Sequence, residues 1–164
     1  MKSDPYGHLR PPQATAAEDI CACVEPYPFK LMFALSYNPV CCMACNREVR
    51  PEIYRPDESL CEAIACWREL YRAAYVLWLD SADYEDWGRA QLVNMSSRVN
   101  RLGLDVRARV NVLRRTYYWL FDGSGLTACP LCSQALEESP LGIFRQVTCE
   151  PCSIVASGDP STTE

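Results

Sequence analysis

An α+β fold is predicted by three features of the sequence. Short aromatic and apolar runs stand at 29–37 and 116–122, two amphipathic helical periodicities lie between them, and paired cysteines crowd the C-terminal segment. The expected architecture is a small antiparallel sheet, built from 29–37 and 116–122, packed on two long helices and followed by a cysteine-rich C-terminal module. With 164 residues, 49% apolar and 23% charged, the chain has the length and composition of one globular domain with a small appendage.

Residues 1–28 hold Pro5, Pro11, Pro12, Pro26 and Pro28 and little periodicity, which predicts an irregular N-terminal arm. An α+β domain over 29–122 then opens with FKLMFALSY, short and aromatic-rich, as a buried strand. From Ser59, Leu60, Ile64, Trp67, Tyr71, Ala74 and Trp78 recur at helical intervals, and Ser59 with Glu62 has capping-box spacing. An acidic connector, DSADYED (80–86), leads to a second helix over 87–114, where Val99, Leu102, Val106, Val110 and Leu113 share one arc. Gly103 costs that helix about 1 kcal/mol relative to Ala and marks where it could bend. TYYWLFD (116–122) has β-forming composition, GSG releases the chain into a module at 123–157, and 158–164 is a disordered tail.

The formal net charge of −5 is unevenly spread. Trp87–Tyr118 holds seven arginines against Asp105, a net +6, so the remainder carries −11. No apolar leader is visible in Met1–Pro12, so the eleven cysteines are expected to be reduced and the protein cytoplasmic. The longest apolar run, Ala73–Leu79, is short of the roughly 20 residues of a membrane span, and no membrane association is expected.

Cysteines two residues apart can aim both sulfurs at one ion from a tight turn, and two such turns complete a tetrahedral shell. Cys129 and Cys132, then Cys149 and Cys152, are separated by 16 residues, the spacing of a zinc ribbon. Zn2+ suits four thiolates, and a shell filled by protein has no position for substrate, so this zinc would be structural. A redox pair, an iron–sulfur cluster and merely packed thiols are the competing uses of the same spacing. Cys42 and Cys45, beside Cys41, form a possible second metal site whose other ligands are not evident. Cys21 and Cys23 have the wrong spacing for such a turn, and Cys61 and Cys66 read as buried helix residues. His8 is the sole histidine and no phosphate-binding loop is present, so an enzyme is not expected.

TYYWLFDGSG, CPLC and PLGIFRQVTCEPCSIVAS, in that order, resemble a bacterial family of uncharacterised zinc-ribbon-containing proteins, described as candidates for nucleic-acid binding. The similarity spans about residues 29–157 and implies Cys129, Cys132, Cys149 and Cys152 as ligands. The chain departs from the family at Ser133 and Gln134, where a glycine usually follows the first cysteine pair. Relatives of this kind occur beside bacterial toxin genes, which implies an immunity protein. Charge points the same way, because residues 122–164 carry six acids against Arg145 and would repel phosphate. The expected function is therefore binding of a protein partner, in particular a basic bacterial toxin. The contact is assigned to Asp80, Asp83, Tyr84, Glu85, Asp86 and Trp87, whose alternative reading is a polar interhelix loop. Nucleic-acid binding through the Arg-rich helix is the alternative function.

Overall fold

A computed structural model describes residues 4–11, 13–34, 37–123 and 125–158. The tail at 158–164 therefore lies outside the described residues, except for Gly158. The fold is α+β. Its strands are β1 (Phe29–Leu31), β2 (Val40–Cys42), β3 (Thr116–Trp119), β4 (Glu137–Glu138), β5 (Gln146–Cys149) and β6 (Ile154–Ser157). The helices are α1 (Pro51–Tyr54), α2 (Glu58–Asp80), α3 (Glu85–Val93) and α4 (Arg98–Leu113).

The sheet is not the small antiparallel one expected. It is six-stranded and mixed, ordered β2-β1-β3-β6-β5-β4, with β1–β3 and β3–β6 parallel. The reason lies in β2, which the sequence reading missed: it pairs antiparallel with β1 and reverses the chain before the helices begin. The out-and-back excursion through α2, α3 and α4 then returns the chain to the end where β1 began, so β3 enters beside β1 in the same direction. The C-terminal strands join this sheet through β6, with Tyr118 opposite Ile154 and Trp119 opposite Val155.

Helix α2 starts one turn's fraction earlier than predicted. Its N-cap is Asp57, which accepts a hydrogen bond from Leu60 N at 2.7 Å, and Ser59 lies inside the first turn. Its apolar stripe is the expected one: Leu60, Ile64, Trp67, Tyr71 and Ala74 are buried. The second predicted helix is two, because Asn94–Ser97 interrupts 87–114. Ser97 caps α4, accepting from Asn100 N at 3.1 Å, and its hydroxyl donates to Gln91 O at 2.7 Å. Gly103 lies inside α4, which runs unbroken from Arg98 to Leu113. A Cβ there would lie 2.5 Å from Trp67 Nε1 and against the Tyr118 ring, so glycine permits the close approach of α4 to α2 and β3. Of the cysteines assigned to the helix interior, Cys61 is buried and Cys66 is exposed.

Alternation along the strands sorts side chains between two faces. Phe29, Leu31, Tyr118, Ile154 and Ala156 join the helix residues in the main core. On the other face, Tyr117 and Val155 form a small cluster with Met43, covered by Trp119 and Leu141. Asn100 locks the two layers together. Its amide donates to Leu92 O and Asn94 O, each at 2.9 Å, and its Oδ1 accepts from Tyr118 OH at 2.7 Å. Replacing Asn100 with Ala leaves those buried groups unpaired and is expected to cost about 2–4 kcal/mol in urea unfolding. Gly103→Ala is expected to cost about 1–3 kcal/mol by overpacking, read the same way.

Candidate metal centre

Two groups of four cysteines converge: Cys129, Cys132, Cys149 and Cys152 in one, Cys21, Cys23, Cys42 and Cys45 in the other. Within each group all four Sγ atoms lie within 4.8 Å of one another. A tetrahedral ion with sulfur at about 2.3 Å separates its ligands by about 3.8 Å, so both groups have the dimensions of such a shell.

Backbone geometry explains the convergence. Cys129 N donates to Gln134 O and Ser133 N to Cys129 O, both at 2.8 Å, and Ser133 adopts the left-handed conformation at φ 62°. Cys42 N donates to Arg47 O at 2.9 Å and Asn46 N to Cys42 O at 3.0 Å, with Asn46 at φ 61°. These are the same turn, recurring in two unrelated stretches. Ser153, just after Cys152, is left-handed as well, at φ 53°, where the chain reverses between β5 and β6. The missing glycine at Ser133 thus leaves the turn intact but places a side chain in a region that costs L residues about 1–2 kcal/mol.

The turns are fastened to the fold. Glu150, between Cys149 and Cys152, accepts from Tyr117 OH at 2.5 Å and Arg115 Nη2 at 2.9 Å, which ties the turn to β3. Met43 N, inside the other turn, donates to Pro28 O at 2.9 Å. Cys21 and Cys23, set aside on spacing, are delivered by the N-terminal arm: Cys21 N donates to Glu48 O at 2.8 Å and Glu48 N to Asp19 O at 3.0 Å. Only tertiary pairing supplies these ligands, so a spacing rule could not find them. Cys41 belongs to neither group; it is fully buried, and desolvation pushes its thiol up to about 12.

Each tetrad behaves electrostatically as a unit. The Gln134 N–H, then the Cys152, Cys149 and Cys129 thiols, hold Cys132 below the ordinary thiol range. Cys152 is pushed up to about 12 by desolvation and by those same neighbours. In the other group desolvation opposes ionisation of Cys45, yet the Arg47 N–H and the thiols of Cys21, Cys23 and Cys42 outweigh it and leave the thiol lowered. Cys21 is raised, by desolvation first. Cys132 and Cys45 are thus lowered while Cys149, Cys152, Cys21 and Cys23 are raised, a split that a divalent cation binding each group of four relieves. The donor set fits zinc: four soft sulfurs and no open position.

Asp80, Asp83, Tyr84, Glu85, Asp86 and Trp87 lie together at the α2–α3 corner, all exposed. The connector is shorter than predicted, since Glu85 and Asp86 form the first turn of α3, where negative charge is favoured. Ser81 builds the corner, donating to Leu77 O and accepting from Tyr84 N at 3.1 Å. Buried Gly88 lets α3 lie close on α2, since a Cβ there would meet Ala74 O at 2.8 Å.

No protein-family profile, curated protein or solved structure matches the chain. Chelation of the metal-loaded protein is expected to release amide protection over 42–47 and 129–134 first in hydrogen exchange, while α2 stays protected. Ser133→Gly is expected to relieve the left-handed strain and raise resistance to chelator by about 1 kcal/mol, read from the chelator concentration at half release.

Proposed function

We propose that this chain is a non-catalytic protein, folded by structural zinc, that binds a basic protein through the α2–α3 corner. In its most specific form the reading is a bacterial immunity protein that neutralises a cognate toxin in the cytoplasm, where the thiols stay reduced. The resemblance to a zinc-ribbon family, on the residues quoted above, supports that form. The observation that carries the reading is the corner itself. Tyr84 and Trp87 are 60% and 54% exposed beside a shallow apolar cleft of about 380 Å³ that they line with Leu77. Around them Asp80, Asp83, Glu85 and Asp86 make no ion pair among the described residues. Exposed aromatics bordered by unneutralised acids combine anchor and steering charge for a cationic partner.

Placement of the arginines weighs against nucleic acid. Arg89, Arg109 and Arg115 are paired with Asp122, Asp57 and Glu150. Arg98 and Arg101 remain exposed on α4 without an ion pair among the described residues, and they are what the alternative reading rests on.

Titration against the product of the adjacent gene tests the proposal. Trp87→Ala is expected to weaken binding by about 2 kcal/mol or more, the loss typical of an interface anchor. Asp83→Lys with Asp86→Lys is expected to slow association and flatten its dependence on salt. Binding that ignores all three changes contradicts the proposed surface. Tight, steeply salt-dependent binding to duplex or single-stranded nucleic acid, abolished by changing Arg98 and Arg101, would establish the alternative.

A further inference from the structure

The far face of the sheet buries a lysine. Lys30, in the middle of β1, is 0% exposed. Its partners are neutral: Nζ donates to Asn46 Oδ1 and, at 2.8 Å, to Gln146 Oε1, and it sits 4.7 Å from the centre of the Trp119 ring. No carboxylate pairs with it among the described residues. A buried charge normally has a countercharge, because an uncompensated one costs several kcal/mol.

The surroundings identify the missing anion. Asn46 directly follows Cys45 and holds the left-handed position of the Cys42–Cys45 turn. Gln146, having accepted from Lys30, donates through Nε2 to Met43 O inside that turn at 3.2 Å. Lys30 is thus sealed between the sheet and the backbone that aims Cys42 and Cys45. Cys41, its register partner across β1–β2, lies outside the tetrad. A divalent cation on four thiolates carries a net charge of about −2, a delocalised anion that suits a single ammonium nearby.

We propose that Lys30 is the built-in counter-cation of the Cys21, Cys23, Cys42 and Cys45 centre, a positioning residue whose charge holds the tetrathiolate-bound metal and whose hydrogen bonds brace the turn. This rests on the reading of that tetrad as a metal site. Lys30 is pushed down to about 8 by burial, and the groups that pull it back are the thiols of Cys41, Cys42 and Cys45. The arrangement also explains why a central strand tolerates a lysine. Beneath the turn, Lys30 and Gln146 form a polar island beside the apolar cluster of Met43, Tyr117 and Val155.

The full chain loaded with Co2+ and titrated with a competing chelator reports each centre through its thiolate-to-cobalt absorption. Lys30→Met is expected to weaken the Cys21, Cys23, Cys42 and Cys45 centre about 10- to 100-fold and to leave the other unchanged, the two being told apart by repeating the titration in a chain carrying Cys129→Ser and Cys132→Ser. Asn46→Asp retains the hydrogen bond and tolerates the left-handed position, but it sets a carboxylate against the ammonium, and it is expected to weaken the same centre. It also reports should Lys30→Met fail to fold. In a chain already carrying Cys42→Ser and Cys45→Ser, Lys30→Met is expected to cost less stability than in the wild-type chain, because the ammonium has lost its anion and only its hydrogen bonds to Asn46 and Gln146 remain to be broken. Two wild-type affinities in both Lys30→Met and Asn46→Asp, or equal weakening of both centres, overturns the proposal while leaving the metal reading intact. A wild-type chain that takes up no ion at this tetrad overturns both.

Discussion

Four sulfurs within 4.8 Å of one another cannot all ionise unless a cation sits among them. The chain accepts this constraint twice, and much of its architecture serves to bring sulfurs together that would otherwise repel. The left-handed residues Asn46, Ser133 and Ser153 all stand one position after the second cysteine of a turn. Backbone strain placed so regularly is what a bound ion would offset, and the same geometry in two separate stretches is stronger support for a metal fit than either cluster alone.

Each tetrad organises a different part of the sheet. One gathers the N-terminal arm onto the loop beyond β2, so that a proline-rich segment without strands of its own gains a fixed place. The other closes the β5–β6 turn against the 129–132 turn, and Glu150 ties it to Arg115 and Tyr117 at the start of β3. The two layers of the fold differ accordingly. On the helix side, burial of Trp67, Tyr118, Ile64 and their neighbours drives packing, with each large side chain contributing roughly 1.5–3 kcal/mol. On the far side no helix covers the strands among the described residues. Its lid is a cysteine turn and the 139–145 loop, pinned by Gln146 to Met43 O and Leu141 O.

What could be read from the sequence was whatever local periodicity or spacing determines. The stripe of α2, the existence of a strand at 29 and another at 116, and the spacing of Cys129, Cys132, Cys149 and Cys152 are of that kind. Parallel pairing of β1 with β3 is not, because strand direction depends on how many reversals the intervening chain makes, and the three-residue β2 was too short to announce itself. The break at Asn94–Ser97 did leave a signal, a polar Asn-Met-Ser-Ser run ending in a residue suited to capping. Apolar periodicity on either side masked it. Cys21 and Cys23 left none, because only the pairing of Glu48 with Asp19 and Cys21 places them beside Cys42 and Cys45. Lys30 was similarly opaque: one lysine in an apolar run looks like a solvent-facing residue until the turn above it is known.

The proposed division of labour is therefore between sulfur, which holds the shape, and carboxylate with aromatic surface, which meets a partner at a corner remote in sequence from the C-terminal cysteines. Both depend on the tetrads carrying metal. Metal content combined with X-ray absorption at the zinc edge, on full-length protein purified under reducing conditions, is the direct test. The account predicts two zinc ions per chain, each with four sulfur neighbours at about 2.3 Å. Fewer than two ions, or nitrogen and oxygen in the first shell, would contradict it.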